Sequence, residues 1–302
     1  MTARIIQIAR ASLHDGPGLR TVVYLKGCSL RCEWCHNPEG QSSDSEIFFY
    51  PSKCIGCGRC VAACPSHFSI SGGVLHYDRS GCIGCGGCAR RCPSQALSLC
   101  GTEMSCDEVM EEIRRDALYY GYSGGGVTMS GGECLLYPAF CAELIGLCRG
   151  EGIHTALESA LFIPWTSAEP VVRSADLLIA DIKHPDSSAH RRLTGRPNDL
   201  IVENLSRAAR IHDHILVRIP LIPGENDDER SLTAAASLLN GICGGIRAVE
   251  LLKYNSMAAG KYTALGMPSP AVRSAQSDGE MEGKARFLRG WLREEIRVIF
   301  DG

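Results

Sequence analysis

The 302-residue chain has no run of about 18 uncharged apolar residues, the length that a membrane-spanning helix requires. Its first ten residues, MTARIIQIAR, also carry charges where a secretory signal peptide needs an apolar centre. From these two absences we expect neither a signal peptide nor a membrane-spanning helix. We therefore expect a cytoplasmic protein.

The chain also lacks an excess of charge of one sign. Its formal net charge is −3, and acidic and basic residues are mixed along its length. Nucleic acids and anionic membranes select a concentrated basic surface, so neither is expected as a partner. A hydrophobic content of 45% is enough for one large globular domain or for one domain that carries an insertion.

Cysteine, by contrast, is abundant, at 17 residues. In a chain without secretory features, such a number indicates thiolate ligands in a reducing compartment and argues against a disulfide framework. Iron–sulfur clusters are sensitive to oxidation, so the count also suggests an anaerobic or protected setting.

The most informative cysteines are Cys28, Cys32 and Cys35, which form a C-x3-C-x2-C loop directly after an apolar run. A [4Fe–4S] cluster has four irons, so three cysteine ligands leave one iron open to a small molecule. The alternative is a zinc site completed by His36. Adjacent Cys35 and His36 do not fit the usual ligand spacings of zinc sites.

Two further runs share the pattern C-x2-C-x2-C-x3-C-P, the spacing of two-cluster ferredoxins, in which the fourth cysteine of each run binds the other run's cluster. One predicted cluster therefore has the ligands Cys54, Cys57, Cys60 and Cys92, and the other has Cys82, Cys85, Cys88 and Cys64. A zinc ribbon is the alternative, but it leaves the third cysteine of each run unexplained.

These runs divide the chain into three predicted segments. Residues 1–47 begin a barrel and hold the first cysteine loop, residues 48–100 form a ferredoxin-like insertion, and residues 101–302 complete the barrel. The other six cysteines lack ligand spacing and are expected as small core residues. They are Cys100, Cys106, Cys134, Cys141, Cys148 and Cys243.

Outside the insertion, apolar strand-like runs alternate with helical segments, which predicts an α/β fold with a parallel sheet. About six repeats indicate a partial (β/α)6 barrel. The predicted strands are 21–25, 126–129, 154–157, 177–182, 215–219, 249–252 and 298–300. The predicted helices are 106–120, 138–151, 166–174, 198–212, 227–240 and 280–293, with Ser105 and Asn226 available as N-caps.

Polar residues stand where these strands end, which is where such barrels carry their function. Besides the cysteine loop, they are Ser130-Gly131-Gly132-Glu133, Glu158-Ser159, Asp181, Lys183 and Arg218. The sequence therefore predicts that one ligand pocket collects them.

The cysteine loop and the Gly-Gly-Glu turn together resemble the radical S-adenosylmethionine (SAM) superfamily. More narrowly, three segments are similar to the glycyl radical enzyme activating enzymes, and the likeness runs nearly end to end. The segments are His14–Arg20 (HDGPGLR), Gly27–Glu39 (GCSLRCEWCHNPE) and Gly125–Glu133 (GGVTMSGGE). The paired cysteine runs resemble the insertion of the larger members of that family.

The resemblance implies a role for each site residue. Cys28, Cys32 and Cys35 would hold the catalytic cluster, with Trp34 packed over it. Gly131, Gly132 and Glu133 would hold the methionyl amino group of SAM, and Ser130 is a further cofactor-binding residue of the same turn. Glu158 and Ser159 would lie near its carboxylate and a monovalent cation, while Asp181, Lys183 and Arg218 would line the adenosyl and peptide side.

The resemblance also implies the reaction. Reductive cleavage of SAM would give methionine and a 5′-deoxyadenosyl radical, which takes a hydrogen atom from one glycine of a partner glycyl radical enzyme. The implied cofactors are SAM and three [4Fe–4S] clusters, and the implied electron donor is a flavodoxin or ferredoxin. Two alternatives are a ferredoxin-like electron-transfer protein and a radical SAM maturase that modifies another peptide.

Overall fold

A computed structural model describes residues 1–300. Asp301 and Gly302, the last two residues of the predicted segment 101–302, lie outside the described residues. Nine strands form one mixed sheet, and two small two-stranded sheets lie between its second and third strands along the chain. Among the described helices, none has both the length and the apolar character needed to cross a membrane.

The large sheet contains seven parallel strands in their order along the chain. They are β2 (Arg20–Leu25), β8 (Gly126–Gly131), β9 (His154–Ser159), β10 (Leu177–Asp181), β11 (Ile215–Pro220), β12 (Ile246–Leu252) and β13 (Arg297–Phe300). The predicted α/β fold with a parallel sheet is confirmed. Successive parallel strands need crossover connections, which here are six helical segments that bury the apolar side chains of the sheet.

The crossover helices are α3 (Cys106–Arg114), α4 (Ala117–Ser123), α5 (Pro138–Gly150), α6 (Trp165–Ser174), α7 (Ser187–Thr194), α8 (Asp199–Ala209), α9 (Glu229–Asn240), α10 (Ala259–Leu265) and α11 (Asp278–Arg289). Ser105 caps α3 in a capping box with Glu108, as predicted for this N-cap. The predicted helix 106–120 is interrupted, however, at Asp116, whose carboxylate accepts hydrogen bonds from Arg10 and Thr21.

The predicted N-cap at Asn226 is wrong. Asp228 caps α9 by accepting a hydrogen bond from the Ser231 amide at 2.7 Å. The Asn226 side chain is instead buried in the loop before the helix, where it donates to the carbonyls of Lys183 and Pro220. Asn226 therefore ties the end of β10 to the end of β11, beside the candidate site.

Two antiparallel strands that the sequence did not suggest extend the sheet: β1 (Thr2–Ser12) and β7 (Thr102–Ser105). β1 pairs with β2 on one side and with β7 on the other. Strand β7 directly follows the insertion, so the chain leaves the sheet after β2 and returns to it beside β1.

The insertion contains two small antiparallel sheets. Strands β3 (Glu46–Phe49) and β6 (Leu97–Cys100) pair at its base, and β4 (Phe68–Ser71) and β5 (Val74–Tyr77) form a hairpin. Short helices α1 (Arg59–Ala63) and α2 (Gly87–Arg90) lie inside the two cysteine runs. A separate apolar cluster, which includes Ile47, Phe68 and Leu97, packs against the cysteines of both runs.

Candidate functional site

A cavity of about 250 Å³ opens at the carboxyl ends of the parallel strands, and it collects most of the residues that the sequence singles out. Its walls come from the cysteine loop after β2 and from the ends of β8 to β12. The predicted residues that line it are Cys28, Cys32, Trp34, Cys35, Ser130, Gly131, Gly132, Glu158, Ser159, Asp181 and Lys183. Glu133 and Arg218 lie behind this wall and contact it.

The cysteine loop is held in place by its backbone. The amides of Arg31 and Glu33 donate to the carbonyls of Thr194 and Leu193 at the end of α7, at 2.8 and 3.0 Å. From the other side, the Tyr262 hydroxyl of α10 donates to the Cys35 carbonyl at 3.1 Å. The loop is therefore positioned by two helices.

Lys261 of α10 adds a charged clamp on the same loop. Its Nζ forms an ion pair with Glu39, which is almost fully buried, and donates to Asn37 Oδ1 at 2.9 Å. His36 lies at the cavity wall, with its Nε2 at 3.0 Å from the Asn255 carbonyl oxygen. The imidazole is thus engaged with the loop after β12.

The three thiols fit the ligand set of a cluster with one open iron. All three cysteines line the cavity, whose wall also carries hydroxyl, carboxylate and ammonium groups that can bind a polar small molecule. Burial raises the pKa of the Cys28 thiol to about 11 and that of Cys32 to about 12, so each must lose a proton on binding iron. Within residues 1–300, no three His, Cys, Asp or Glu side chains converge on a single-ion site.

Backbone contact explains the two glycines of the Gly-Gly-Glu turn. Gly131 has φ of +121°, and a Cβ there would lie 2.2 Å from the Leu25 carbonyl oxygen. A Cβ on Gly132 would lie 2.2 Å from the Gly27 carbonyl oxygen. The turn after β8 therefore packs directly on the start of the cysteine loop.

The Glu133 side chain joins the ends of β8 and β9. Its carboxylate accepts hydrogen bonds from Ser159 Oγ at 2.7 Å, the Leu135 amide at 3.1 Å and the Ala160 amide at 3.1 Å. Burial raises the Glu133 pKa to about 7, against the lowering effect of these donors. In this structure the Glu133 carboxylate positions Ser159 and does not itself line the cavity.

Arg218 connects three strands behind the cavity. Its guanidinium bridges Glu158 of β9 and Glu250 of β12, at 2.6 Å to each carboxylate, and it also donates to the His14 carbonyl. Burial alone would raise the pKa of Glu158, but the adjacent Arg218 charge lowers it below its ordinary value. Ser130 Oγ donates to the other Glu158 oxygen at 2.6 Å, so the carboxylate stays ionised and fixed.

Asp181 and Lys183 form a second ion pair, at 2.9 Å, on the cavity wall. Although burial opposes its charged form, Lys183 has a raised pKa because of the Asp181 carboxylate. Asp181 is paired in register with Arg218 on β11, which in turn is paired with Glu250 on β12. Acidic and basic groups thus alternate across three neighbouring strands.

Several residues of the cavity wall were not chosen as site residues from the sequence. The clearest are Asp15, Tyr24, Ile222 and Tyr254. Tyr24 lies beside Asp15, and Tyr254 packs with Ile222 and Trp34. Tyr254 follows β12, so its place at the end of a strand is the sequence signal that could have identified it.

In the insertion, the first predicted ligand set surrounds a second, small cavity. Cys54, Cys57, Cys60 and Cys92 all line it, although Cys92 belongs to the other run. Cys64 and Cys82 lie near Cys88 in the second set, and the Tyr77 hydroxyl donates to Cys82 Sγ at 3.2 Å. The fold therefore brings together cysteines from both runs, as the spacing predicts.

Two family models match the chain. The model described as the radical SAM superfamily matches residues 81–235, and the model described as a 4Fe-4S dicluster domain matches residues 46–93. The chain therefore combines the radical SAM fold with an inserted dicluster domain, and it carries the corresponding iron–sulfur sites.

Among curated proteins, the (2S)-3-sulfopropanediol dehydratase activating enzyme of Klebsiella oxytoca is 45% identical, over 87% of this chain and 86% of the relative. The benzylsuccinate synthase activating enzyme of Thauera aromatica is 42% identical, over 87% of this chain and 81% of the relative. Among solved structures, Streptococcus suis SuiB bound to the precursor peptide SuiA has a TM-score of 0.55 at 10% identity. The match covers 93% of this chain and 48% of SuiB, and it supports the fold alone.

The choline trimethylamine-lyase activating enzyme of Oleidesulfovibrio alaskensis is 37% identical, over 95% of this chain and 95% of the relative. All three curated relatives are activating enzymes, and each is more than a third identical to this chain over most of its length. With the cysteine loop and the strand-end cavity, this shows that the chain belongs to the glycyl radical enzyme activating enzymes of the radical SAM superfamily.

Proposed function

We propose that the chain binds SAM in the strand-end cavity and uses it to take a hydrogen atom from a glycine of a partner glycyl radical enzyme. The observation that carries the proposal is that three cysteines and the polar ends of neighbouring strands share this one cavity. When bound to Cys28, Cys32 and Cys35, a [4Fe–4S] cluster supplies the electron that breaks the S–C5′ bond of SAM and leaves one iron for the methionyl group.

The charges of the cavity suit a molecule with a positive sulfonium and a zwitterionic amino acid end. The ionised Glu158 carboxylate favours positive charge, while the Ser130 and Ser159 hydroxyls can hydrogen-bond the methionyl end. Gly131 and Gly132 allow their peptide groups to approach the same end. Lys183, held by Asp181, lines the adenosyl and peptide side, and Arg218 acts from behind the wall by fixing the Glu158 carboxylate.

Trp34 and Tyr254 exclude water from the same space. Both side chains are buried and pack with Leu193 and Ile222 over Cys32. A reactive radical needs close alignment with its target and a site without side reactions. These apolar groups therefore protect the radical from water.

Glu158 and Ser159 provide the oxygen atoms that we propose for a monovalent cation near the SAM carboxylate.

The insertion is proposed to hold two further [4Fe–4S] clusters, for a total of three. One has the ligands Cys54, Cys57, Cys60 and Cys92, and the other has Cys82, Cys85, Cys88 and Cys64, each with a cysteine from both runs. We retain the division into barrel segments 1–47 and 101–302 and an insertion at 48–100. A flavodoxin or ferredoxin is the proposed electron donor.

The test is anaerobic. The reconstituted protein should contain about twelve irons per chain, form 5′-deoxyadenosine from SAM and dithionite, and generate a glycyl radical signal by electron paramagnetic resonance in its partner. The (2S)-3-sulfopropanediol dehydratase is the first partner to try, because the activating enzyme of that dehydratase is 45% identical to this chain.

Cys32→Ala should abolish 5′-deoxyadenosine formation, because the cluster loses one of its three ligands. Cys243→Ala is the matched control, since Cys243 belongs to none of the three cysteine patterns and is exposed, so that its predicted place in the core is wrong. Normal cleavage by Cys32→Ala would overturn the proposal. About eight irons with indifference to SAM would instead favour an electron-transfer protein.

A further inference from the structure

A cleft on the insertion carries three arginines beside one of the proposed cluster ligands. Arg59, Arg90 and Arg91 line it together with Ala62, Cys92 and Pro93, and its volume is about 300 Å³. Arg59 comes from α1, while Arg90 and Arg91 come from the end of α2. The two cysteine runs thus contribute to one cationic surface, which we name the arginine cleft.

The arginine cleft has no counter-charge in the described part of the chain. All three arginines are exposed, and none forms an ion pair with a residue in 1–300. Within residues 1–300, the Arg90 guanidinium donates a hydrogen bond only to the Cys85 carbonyl, at 3.0 Å. Residues 48–100 contain five Lys or Arg residues and a single acidic residue, Asp78, whereas the whole chain has a net charge of −3. Positive charge is therefore concentrated here.

The arginine cleft adjoins the first cluster site. Arg59 and Cys92 line both the cleft and the small cavity around Cys54, Cys57 and Cys60. A protein seated in the cleft would thus contact a cysteine of that site directly. Cys57 is itself exposed, and the neighbouring Ile55 side chain is 67% exposed, which offers an apolar contact beside the charges.

The two cluster sites also face different surroundings. At the second run, a Cβ on Gly84 would lie 2.0 Å from the Ser45 carbonyl oxygen, and Arg79 donates to the carbonyls of Ile47 and Ala264. The second run therefore packs towards α10 and the barrel. A Cβ on Gly56, the equivalent of Gly84, meets no atom within 4 Å. The first run faces solvent.

The geometry points to the arginine cleft as the docking surface of an acidic electron-carrier protein, which delivers electrons at the Cys54, Cys57, Cys60 and Cys92 site. This inference rests on the proposed function. Complementary charge raises the rate of encounter and fixes the orientation of two proteins, and its effect falls as salt rises. On each encounter the carrier is oxidised by one electron, the enzyme is reduced by one, and no bond or proton is exchanged.

The test compares two triple variants of the full, reconstituted protein. Arg59→Gln, Arg90→Gln and Arg91→Gln together remove the charge of the cleft. Arg210→Gln, Arg230→Gln and Arg286→Gln remove the same charge from exposed positions at the end of α8, on α9 and on α11. The probe is a purified flavodoxin, and its binding is measured by titration calorimetry at low and high salt, independently of any turnover.

The cleft variant should bind flavodoxin about tenfold more weakly at low salt and with a smaller salt dependence, while the control stays within about twofold of the native protein. Flavodoxin-driven formation of 5′-deoxyadenosine should fall by a similar factor, and dithionite-driven formation should not change. Equal binding by the two variants would overturn the inference.

Two other results would also overturn it. Loss of iron from the cleft variant would show that the arginines stabilise the clusters. Loss of partner activation with dithionite, at normal flavodoxin binding, would assign the surface to the glycyl radical enzyme. Absence of dithionite-driven cleavage in the native protein would instead contradict the proposed function, so the two failures are distinguishable.

Discussion

The barrel cavity and the insertion surround their cysteines in opposite ways. In the barrel, three cysteines share a cavity with the Asp181–Lys183 ion pair, and Arg218 pairs with Glu158 and Glu250 directly behind the cavity wall. In the insertion, six of the eight predicted cysteine ligands belong to an apolar cluster or pack against it, while Cys57 and Cys85 are exposed. Within the described residues, the apolar cluster of the insertion contains no ion pair.

This difference is consistent with the ligands proposed for each region. Buried charges are costly unless they are paired, and a protein gains from them where a charged ligand must be oriented. The barrel cavity therefore suits a cluster together with a polar molecule, whereas the insertion suits clusters alone. Changes that remove a charge should matter most in the barrel, and changes that add volume should matter most in the insertion.

The largest effect is expected from Arg218→Met, which leaves two buried carboxylates, Glu158 and Glu250, without their shared cation. We expect the free energy of unfolding to fall by about 3–5 kcal/mol, measured by anaerobic urea denaturation with circular dichroism. Arg247→Met is the control, because Arg247 is half exposed and pairs with Asp213 only at 3.9 Å. Its effect should stay within about 0.5 kcal/mol. Equal losses in both variants would remove the distinction drawn for the barrel.

A smaller effect is expected in the insertion from Gly84→Ala compared with Gly56→Ala. Both glycines have φ near +65°, at +64° and +67°, so both variants carry the same backbone strain of about 1 kcal/mol. Only the methyl group that Gly84→Ala introduces also collides with the Ser45 carbonyl, which should add about 1–3 kcal/mol. Thermal unfolding and iron content measure the difference, and identical behaviour would mean that the two runs have equivalent surroundings.

The smallest effect is expected where the two regions meet. Lys261→Met removes the ion pair to Glu39 while preserving most of the side-chain volume, and we expect a loss of about 1 kcal/mol, because the Lys261 ammonium is partly exposed and screened. The KM for SAM should rise, since the cysteine loop loses its clamp. Lys253→Met, at the exposed ion pair with Asp278, is the control. An unchanged KM would show that Tyr262 is sufficient to hold the loop.

Much of the architecture could be predicted from the sequence because its signals are local. The seven parallel strands are short apolar runs, and the Ser105 capping box is encoded within four residues. The pairing of Cys92 with Cys54, Cys57 and Cys60 around one cavity also follows from spacing alone. The ligand and SAM roles of these residues stay predictions.

Other features depend on contacts between residues far apart in the sequence. The antiparallel strand β1 has no distinctive period, and it is specified by its two neighbours, β2 and β7. Asn226 resembles an N-cap, but its amide is required between β10 and β11. The Glu133 carboxylate meets Ser159 only after β8 and β9 lie side by side, so its positioning role was not visible in the motif.

The base of the insertion has a further consequence for how this molecule is assembled. Glu46 lies opposite Cys100 in the β3–β6 ladder, and Ser45 Oγ donates to the Gly101 carbonyl at 2.5 Å, so the entering and departing chains are adjacent. Adjacent ends are the condition under which one domain can be spliced into another without disturbing its host. The order of the barrel strands does not depend on the residues between these two ends. Gene rearrangement can therefore add, exchange or remove the dicluster domain as one unit.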